Sequence, residues 1–244
     1  MTRNANIQSA CVAVVLSIAL LLPLPLFAER AAIPAFSANY SVSYGILRGE
    51  MTLELRHAEP GYIYRTSLRP RGVVSWLRRG EIRESTSLVA GEGLVRPLDY
   101  DSVDTIAKPT RHVQYEFDPQ NGRVTGEYKL REVDVPMQQD GQNRISAQVA
   151  IMEALQSGIE LSELPVFDRG RWRTFQFEII PDQLVETPAG DFETIQVRYA
   201  SDAKSKSWSL YCAPSLDYLP VLIVYREKGK TKSRAELTDF LIDR

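Results

Sequence analysis

The chain of 244 residues offers little for bond-breaking chemistry: two histidines, two cysteines, and 31 acids set against 29 lysines and arginines. A nucleophile–base pair would have to use His57 or His112. His57 precedes the turn Pro60-Gly61. His112 opens a segment whose inward side is Val113, Tyr115 and Phe117, so alternation sends its imidazole to solvent, and both read as surface histidines. Asp99, Asp101 and Asp104 crowd together, as do Glu81 and Glu84, and a glycosidase needs two acids at a set separation in a cleft. Asp99 and Asp101 alternate with Leu98, Tyr100 and Ser102, however, which is the pattern of a solvated face with an apolar reverse. G-x-S-x-G, H-E-x-x-H, C-x-x-C and phosphate-loop motifs are absent from the sequence. Two cysteines and two histidines do not furnish a zinc site of the all-cysteine kind or of the mixed cysteine–histidine kind. A net charge of −2 lacks the basic surplus that nucleic-acid binding draws on. The expectation is no catalytic residue, no metal ligand, no cofactor and no nucleic-acid partner.

Binding chemistry is better represented. Tyr40, Tyr64, Tyr115, Tyr128 and Tyr199 fall at strand positions, each with an apolar ring and a polar tip. On the concave side of a curved sheet they could bury an acyl chain or a partner's segment; the alternative is plain core packing. Arg65, Arg69, Arg71, Arg78, Arg79 and Arg83 are interrupted by one acid, Glu81, and Trp76 stands beside Arg78 and Arg79. The planar guanidinium suits phosphate or carboxylate, so Trp76, Arg78 and Arg79 are candidates for a rim that holds an anionic headgroup; a solubilising loop is the alternative. Arg226, Lys228, Lys230, Lys232 and Arg234 read as charges that protect a sheet edge from aggregation. Cys212, in Trp208-Ser209-Leu210-Tyr211-Cys212, reads as a small buried hydrophobe.

The elements that must position these groups are mostly strands. Period-2 alternation runs through Phe36–Tyr44, Met51–Leu55, Tyr62–Leu68, Glu81–Val89, Leu94–Tyr100, Arg111–Phe117 and Arg123–Val133. It resumes in Arg171–Ile180, Gln183–Glu186, Phe192–Tyr199, Ser205–Tyr211, Leu219–Glu227 and Arg234–Ile242. Short Gly, Pro and Asn turns between them imply an antiparallel meander and not βαβ units. Ile145, Val149, Met152 and Leu155 instead fall on one helical stripe, with Asn143 or Ser146 able to cap its start and Gly158 its end. A second helical turn is signalled at Val73–Leu77. The fold class expected is mainly β: one antiparallel, strongly curved sheet, a partial β-barrel or β-roll, with one main α-helix.

The N-terminus reads as a signal peptide over residues 1–28, leaving 29–244 as a single β-rich domain. Arg3 precedes an apolar run from Ala10 to Leu22, Pro23 and Pro25 break it, and Ala28 supplies a small residue for cleavage. The periplasm is the location this implies, with no transmembrane span after cleavage. An uncleaved inner-membrane anchor is the alternative, because Ile7–Ala28 carries no charge. Cleavage removes Cys11 and leaves Cys212 without an intramolecular partner. About 216 residues bury roughly 70% of their extended-chain surface, so no disulfide is needed.

The order of motifs completes the reading. Phe36-x-x-x-Tyr40-x-Val42-x-Tyr44 is followed by Gly93-Leu94-x-x-Pro97, Val113-x-Tyr115-x-Phe117-Asp118, and Ile145-Ser146-Ala147-Gln148-Val149. Then come Glu186-Thr187-Pro188-Ala189-Gly190-Asp191-Phe192-Glu193-Thr194, Trp208-x-x-x-x-Ala213-Pro214, Leu219-Pro220-Val221 and Glu236-Leu237. Together they resemble a family of exported bacterial proteins, the domain of unknown function 3108, over nearly all of the mature chain. The resemblance implies a mostly antiparallel β domain curling into a partial barrel around a helix, and it carries over no catalytic residues. Asn143 stands where an acid is expected ahead of the helix, with Asp140 close by. The function expected is a periplasmic binding or carrier domain for an amphipathic cell-envelope component: lipid, glycolipid or peptide. The alternatives are a scaffolding module that binds envelope proteins through a sheet edge and, behind it, an unrecognised hydrolase.

Overall fold

Alternating side chains over Phe36–Tyr44 leave the backbone one way to bury half of them, and β1 (Ala35–Tyr44) does so: Phe36, Ala38 and Tyr40 are buried while Asn39 and Ser41 face solvent. The structure, a computed structural model, describes residues 33–72, 79–91, 93–201 and 205–243. The signal-peptide reading, the helical turn at Val73–Leu77, and both Trp76 and Arg78 lie outside the described residues.

After β1 come β2 (Leu47–Ala58), β3 (Gly61–Arg71), β4 (Ile82–Val89), β5 (Arg96–Pro97), β6 (Asp99–Asp104), β7 (Arg111–Asp118), β8 (Arg123–Tyr128), β9 (Arg131–Pro136) and β10 (Gln142–Asn143). The helix α1 (Ser146–Ser157) follows, then β11 (Glu163–Asp168), β12 (Arg171–Thr187), β13 (Gly190–Ser201), β14 (Lys206–Ala213), β15 (Leu219–Glu227) and β16 (Lys230–Asp243). These elements belong to one unit, Ala31–Arg244.

All the strands join one sheet in the order β10-β11-β12-β13-β14-β15-β16-β1-β2-β3-β4-β6-β7-β8-β9, with β5 attached to β4. The first strand pairs with the last: Tyr40 sits opposite Leu237, which ties the two halves of the unit together. Two features depart from the expected roll. The sheet is open, ending at β9 and β10, and does not close into a barrel or hold one strong curl. Bulges at Asn39/Tyr40, Ile180/Gln183, Tyr211/Cys212 and Tyr225/Arg226 redirect single strands, so bending is distributed along the path. Second, the meander is not wholly antiparallel, because β10 pairs with β11 in parallel across the helix that links them.

The helix is more deeply placed than a one-face stripe implies. Ala147, Val149, Ala150, Ile151, Met152 and Ala154 are all buried, and so is Glu153, whose carboxylate accepts the Val95 N–H at 2.6 Å. A helix covered on nearly all sides lies within the core, with apolar neighbours on several elements. Its C-terminus is closed as expected by Gly158, at φ 66°, a left-handed conformation that only glycine adopts without strain. At its start the N-cap residue is Ile145, and Asn143 works from two residues earlier. The Asn143 Oδ1 accepts the N–H groups of Ile145 and Ser146 at 3.1 and 2.8 Å.

Candidate functional site

The five tyrosines separate into two groups. Tyr40 is 1% exposed and donates its hydroxyl to the Pro220 carbonyl at 2.7 Å. Tyr64 is fully enclosed beside Phe36, and Tyr115 is buried, stacked on Tyr100 and edge-on to Phe167, with its hydroxyl accepting the Gly170 N–H at 2.9 Å. The rings of these three fill the core. Tyr128 and Tyr199 are half-buried and pack against its margin. The structure therefore does not bring the five together as the lining of one hollow.

The arginines fare similarly. Arg79 is exposed, while Arg69 and Arg83 both pair with Glu81, at 2.6 and 2.8 Å, and Arg71 pairs with Glu50. His57 is exposed with its ring 5.1 Å from that of Tyr62. The His112 Nε2 lies 2.7 Å from the Asp101 Oδ2 on the outer face, and Asp99 accepts the Ser87 N–H at 2.7 Å. Among the described residues no group of three or more His, Cys, Asp or Glu could hold a metal ion. No described helix is long and apolar enough to cross a membrane.

What the structure does assemble is a row of rings on neighbouring strands. Tyr199 of β13 stacks on Trp208 of β14 at 5.8 Å and 10°, and Trp208 meets Tyr225 of β15 at 5.0 Å. On the other side Tyr199 touches Phe175 and Phe177 of β12, each at 5.4 Å. The strand register places these side chains on one face: Phe177 is opposite Tyr199, Tyr199 opposite Trp208, and Trp208 opposite Tyr225. All five rings are half-buried, in contrast to the enclosed rings of the core.

A separate polar cluster draws on β3, β4, β6 and the segment just ahead of α1. Glu84 is its hub. Its carboxylate accepts hydrogen bonds from Thr66 Oγ1 at 3.3 Å, from the Tyr100 hydroxyl, and from Arg144 Nε at 3.0 Å. Burial opposes the charge of Arg144, but Glu84, Tyr100 and Asp168 outweigh it and hold the guanidinium more firmly protonated than usual. Burial, together with the nearby Tyr40, Glu84 and Tyr199, pushes the Tyr64 phenol well above its ordinary range. Burial, and then Cys212, raises the Tyr199 phenol above its ordinary range, and the Arg144 guanidinium works in the opposite direction.

The sequence reading named Tyr64 and Tyr199 and did not name Arg144, Trp208, Tyr225, Phe175 and Phe177 as candidates. The signal for the rings was present in their common parity on adjacent strands, yet only the register reveals that they touch. Arg144, between the buried Asn143 and Ile145, left no periodic trace.

No curated protein matches the sequence. Among solved structures, a chain in the complex of Pseudomonas aeruginosa MucA and MucB is similar at 11% identity over 86% of this chain and 52% of that one, with a TM-score of 0.35. The chain thus spans about half the length of that solved chain. The family model described as "Protein of unknown function (DUF3108)" matches residues 39–234, and the chain belongs to that family.

Proposed function

We propose that this chain is an exported, periplasmic protein that binds an amphipathic component of the cell envelope, a lipid, glycolipid or peptide, against the aromatic row. Export rests on the N-terminal pattern of Arg3, the apolar run, Pro23, Pro25 and Ala28. The carrying observation is that Phe175, Tyr199, Trp208 and Tyr225 form a continuous wall of half-buried rings on four successive strands. Contiguous aromatic rings that keep part of their surface accessible suit a ligand with an apolar body. The rings of Tyr40, Tyr64 and Tyr115 are the floor beneath the ligand and not its lining.

The test is mass spectrometry of organic extracts from protein purified out of the periplasm. A defined amphipath recovered from the native protein, and lost from a Trp208→Ala, Tyr225→Ala double variant that still folds, supports the reading. An empty extract overturns it. The packed interior and the free edge of β9 favour a second reading, a scaffold that pairs its edge strand with envelope proteins. An empty extract, with envelope proteins crosslinked at Arg131–Pro136, is the result that this scaffold reading expects.

A further inference from the structure

Two hairpins, β1–β2 and β15–β16, turn at the same end of the sheet. Because β16 pairs with β1, Tyr44 at the end of β1 lies opposite Ser233 on one side and Leu47 on the other. Lys230 and Lys232 therefore run on past the last residue of β1, beside the turn at Gly45 and Ile46. On the far side of β2, Arg48 is opposite Arg71 of β3, and both line one depression of about 300 Å³ together with Ser41, Gly49 and Glu50. Strand spacing puts β16 and β3 roughly 15 Å apart.

The β1–β2 turn is apolar. Tyr44, Ile46 and Leu47 are 51%, 91% and 37% exposed. Seven large hydrophobics are exposed among the described residues, and three of them fall within these four consecutive positions. The turn does not require them: its positive φ, 58°, falls on Gly45. Arg48 Nη1 donates to the Gly45 and Leu47 carbonyls at 2.9 and 3.0 Å, so the loop is clamped with its apolar side chains held out in water. Only an apolar environment recovers that cost.

The cations beside it are free. Both β15 and β16 have neighbours on each side, so Arg226, Lys228, Lys230, Lys232 and Arg234 guard no sheet edge, the role their alternation suggests. Arg226 is engaged by the Ser209 hydroxyl at 3.3 Å and Arg234 by Glu236 at 2.8 Å. Lys228, Lys230 and Lys232 have no ion pair among the described residues, and the acids flanking the two turns are taken, Glu227 by Lys206 at 3.6 Å and Glu50 by Arg71. In a chain of net charge −2 this is a local concentration of positive charge.

We propose that this end of the sheet docks on an anionic phospholipid bilayer. Tyr44, Ile46 and Leu47 enter the boundary between headgroups and acyl chains, with Arg48, Lys228, Lys230 and Lys232 at the level of the phosphates. An apolar point rimmed by cations matches a target layered in the same order, a plane of negative charge over hydrocarbon. A bare polyanion would engage the lysines and leave Ile46 in water. The docking face shares no residue with the aromatic row, so the two stand or fall separately.

The experiment places an environment-sensitive fluorophore on the full chain at Ile46→Cys or, near the other end of β16, at Leu241→Cys, which is also exposed. Both carry Cys11→Ser, and Cys212 is buried beyond reach of the label. Vesicles are of phosphatidylcholine alone or of phosphatidylcholine with phosphatidylglycerol. The label at position 46 should shift to the blue with the anionic vesicles at a lipid concentration at least about tenfold lower than with the neutral ones, and the shift should reverse in high salt. The label at position 241 should stay in water. Lys228→Asn, Lys230→Gln and Lys232→Gln together should weaken the response at position 46 at least about tenfold without lowering the melting temperature. Reading the label and not total binding keeps attachment through the apolar N-terminal run from counting as docking. No shift at position 46, an equal shift with both vesicles, an equal shift at position 241, or a shift that the lysine variant retains overturns the proposal.

Discussion

Arg144, just ahead of the helix, and Glu84 of β4 are 60 positions apart in the chain and form a salt bridge in which the Arg144 Nε donates at 3.0 Å. That bond fastens the start of α1 to the inner face of the sheet. Glu84 is only 9% exposed and also serves Thr66 and Tyr100, so Glu84→Ala strands three donors at once. The exposed half of Arg144 moderates the loss, and the expected destabilisation is about 2 kcal/mol by urea midpoint. Glu84→Gln, which keeps an acceptor oxygen, should lose less.

Asn143 is the second fastening. Fully buried, it donates Nδ2 to Thr86 Oγ1 at 2.8 Å and to the Asp99 carbonyl at 3.1 Å, while its Oδ1 accepts two backbone N–H groups at the helix start. Asn143→Ala should destabilise the fold by about 3 kcal/mol, because four polar groups lose their partner together. Asn143→Asp keeps the acceptor, loses both donors and adds a charge. It should be no better tolerated than alanine at neutral pH and should recover in part as the solution is acidified.

Tyr64→Phe should behave in the opposite way. Removing a hydroxyl that has no partner relieves an unsatisfied buried group, so stability should hold or rise by up to about 1 kcal/mol in the ligand-free protein. A clear loss of stability would show that the hydroxyl is bonded within the chain.

Alkaline titration offers a check on the core. Burial pushes the Tyr115 phenol up from an ordinary 10.0 to about 12, and it raises those of Tyr40, Tyr64, Tyr100 and Tyr199 as well. The folded state therefore holds these protons more tightly than the unfolded chain. The associated stability is complete below the unfolded value of 10.0, and it declines as pH rises through 10 to about 12 and beyond. Phenolate absorbance should therefore appear in step with cooperative unfolding. Ionisation of these tyrosines without loss of structure would contradict the packing described.

Cys212 is wholly buried, and burial pushes its thiol far above the ordinary range. Since the thiolate is the reactive form, alkylating reagents should leave Cys212 unlabelled in the native protein and label it at the rate of unfolding. Prompt labelling without denaturant would contradict that placement.

Most strands were legible because alternation is a local property that survives any arrangement of neighbours. Four elements were not. β8 and β9 read as one run, since Lys129 and Leu130 take positive φ, at 53° and 60°, without the Gly or Asn that normally announces such a turn. β11 was hidden because Pro165 interrupts it and it has only six residues. β10 is two residues long, below what periodicity can register.

By itself the amino-acid order determined that the chain builds a β-rich domain, where the helix lies, and which side of most strands is apolar. Tertiary structure alone decided that Tyr40, Tyr64 and Tyr115 close the core and that Tyr199 joins Trp208 and Tyr225 at its margin. It alone brought Arg144 to Glu84. The reason is physical: alternation states which face a residue occupies, whereas the partner across that face is set by register, bulges and the depth of the helix, none of which is encoded in any local window of residues.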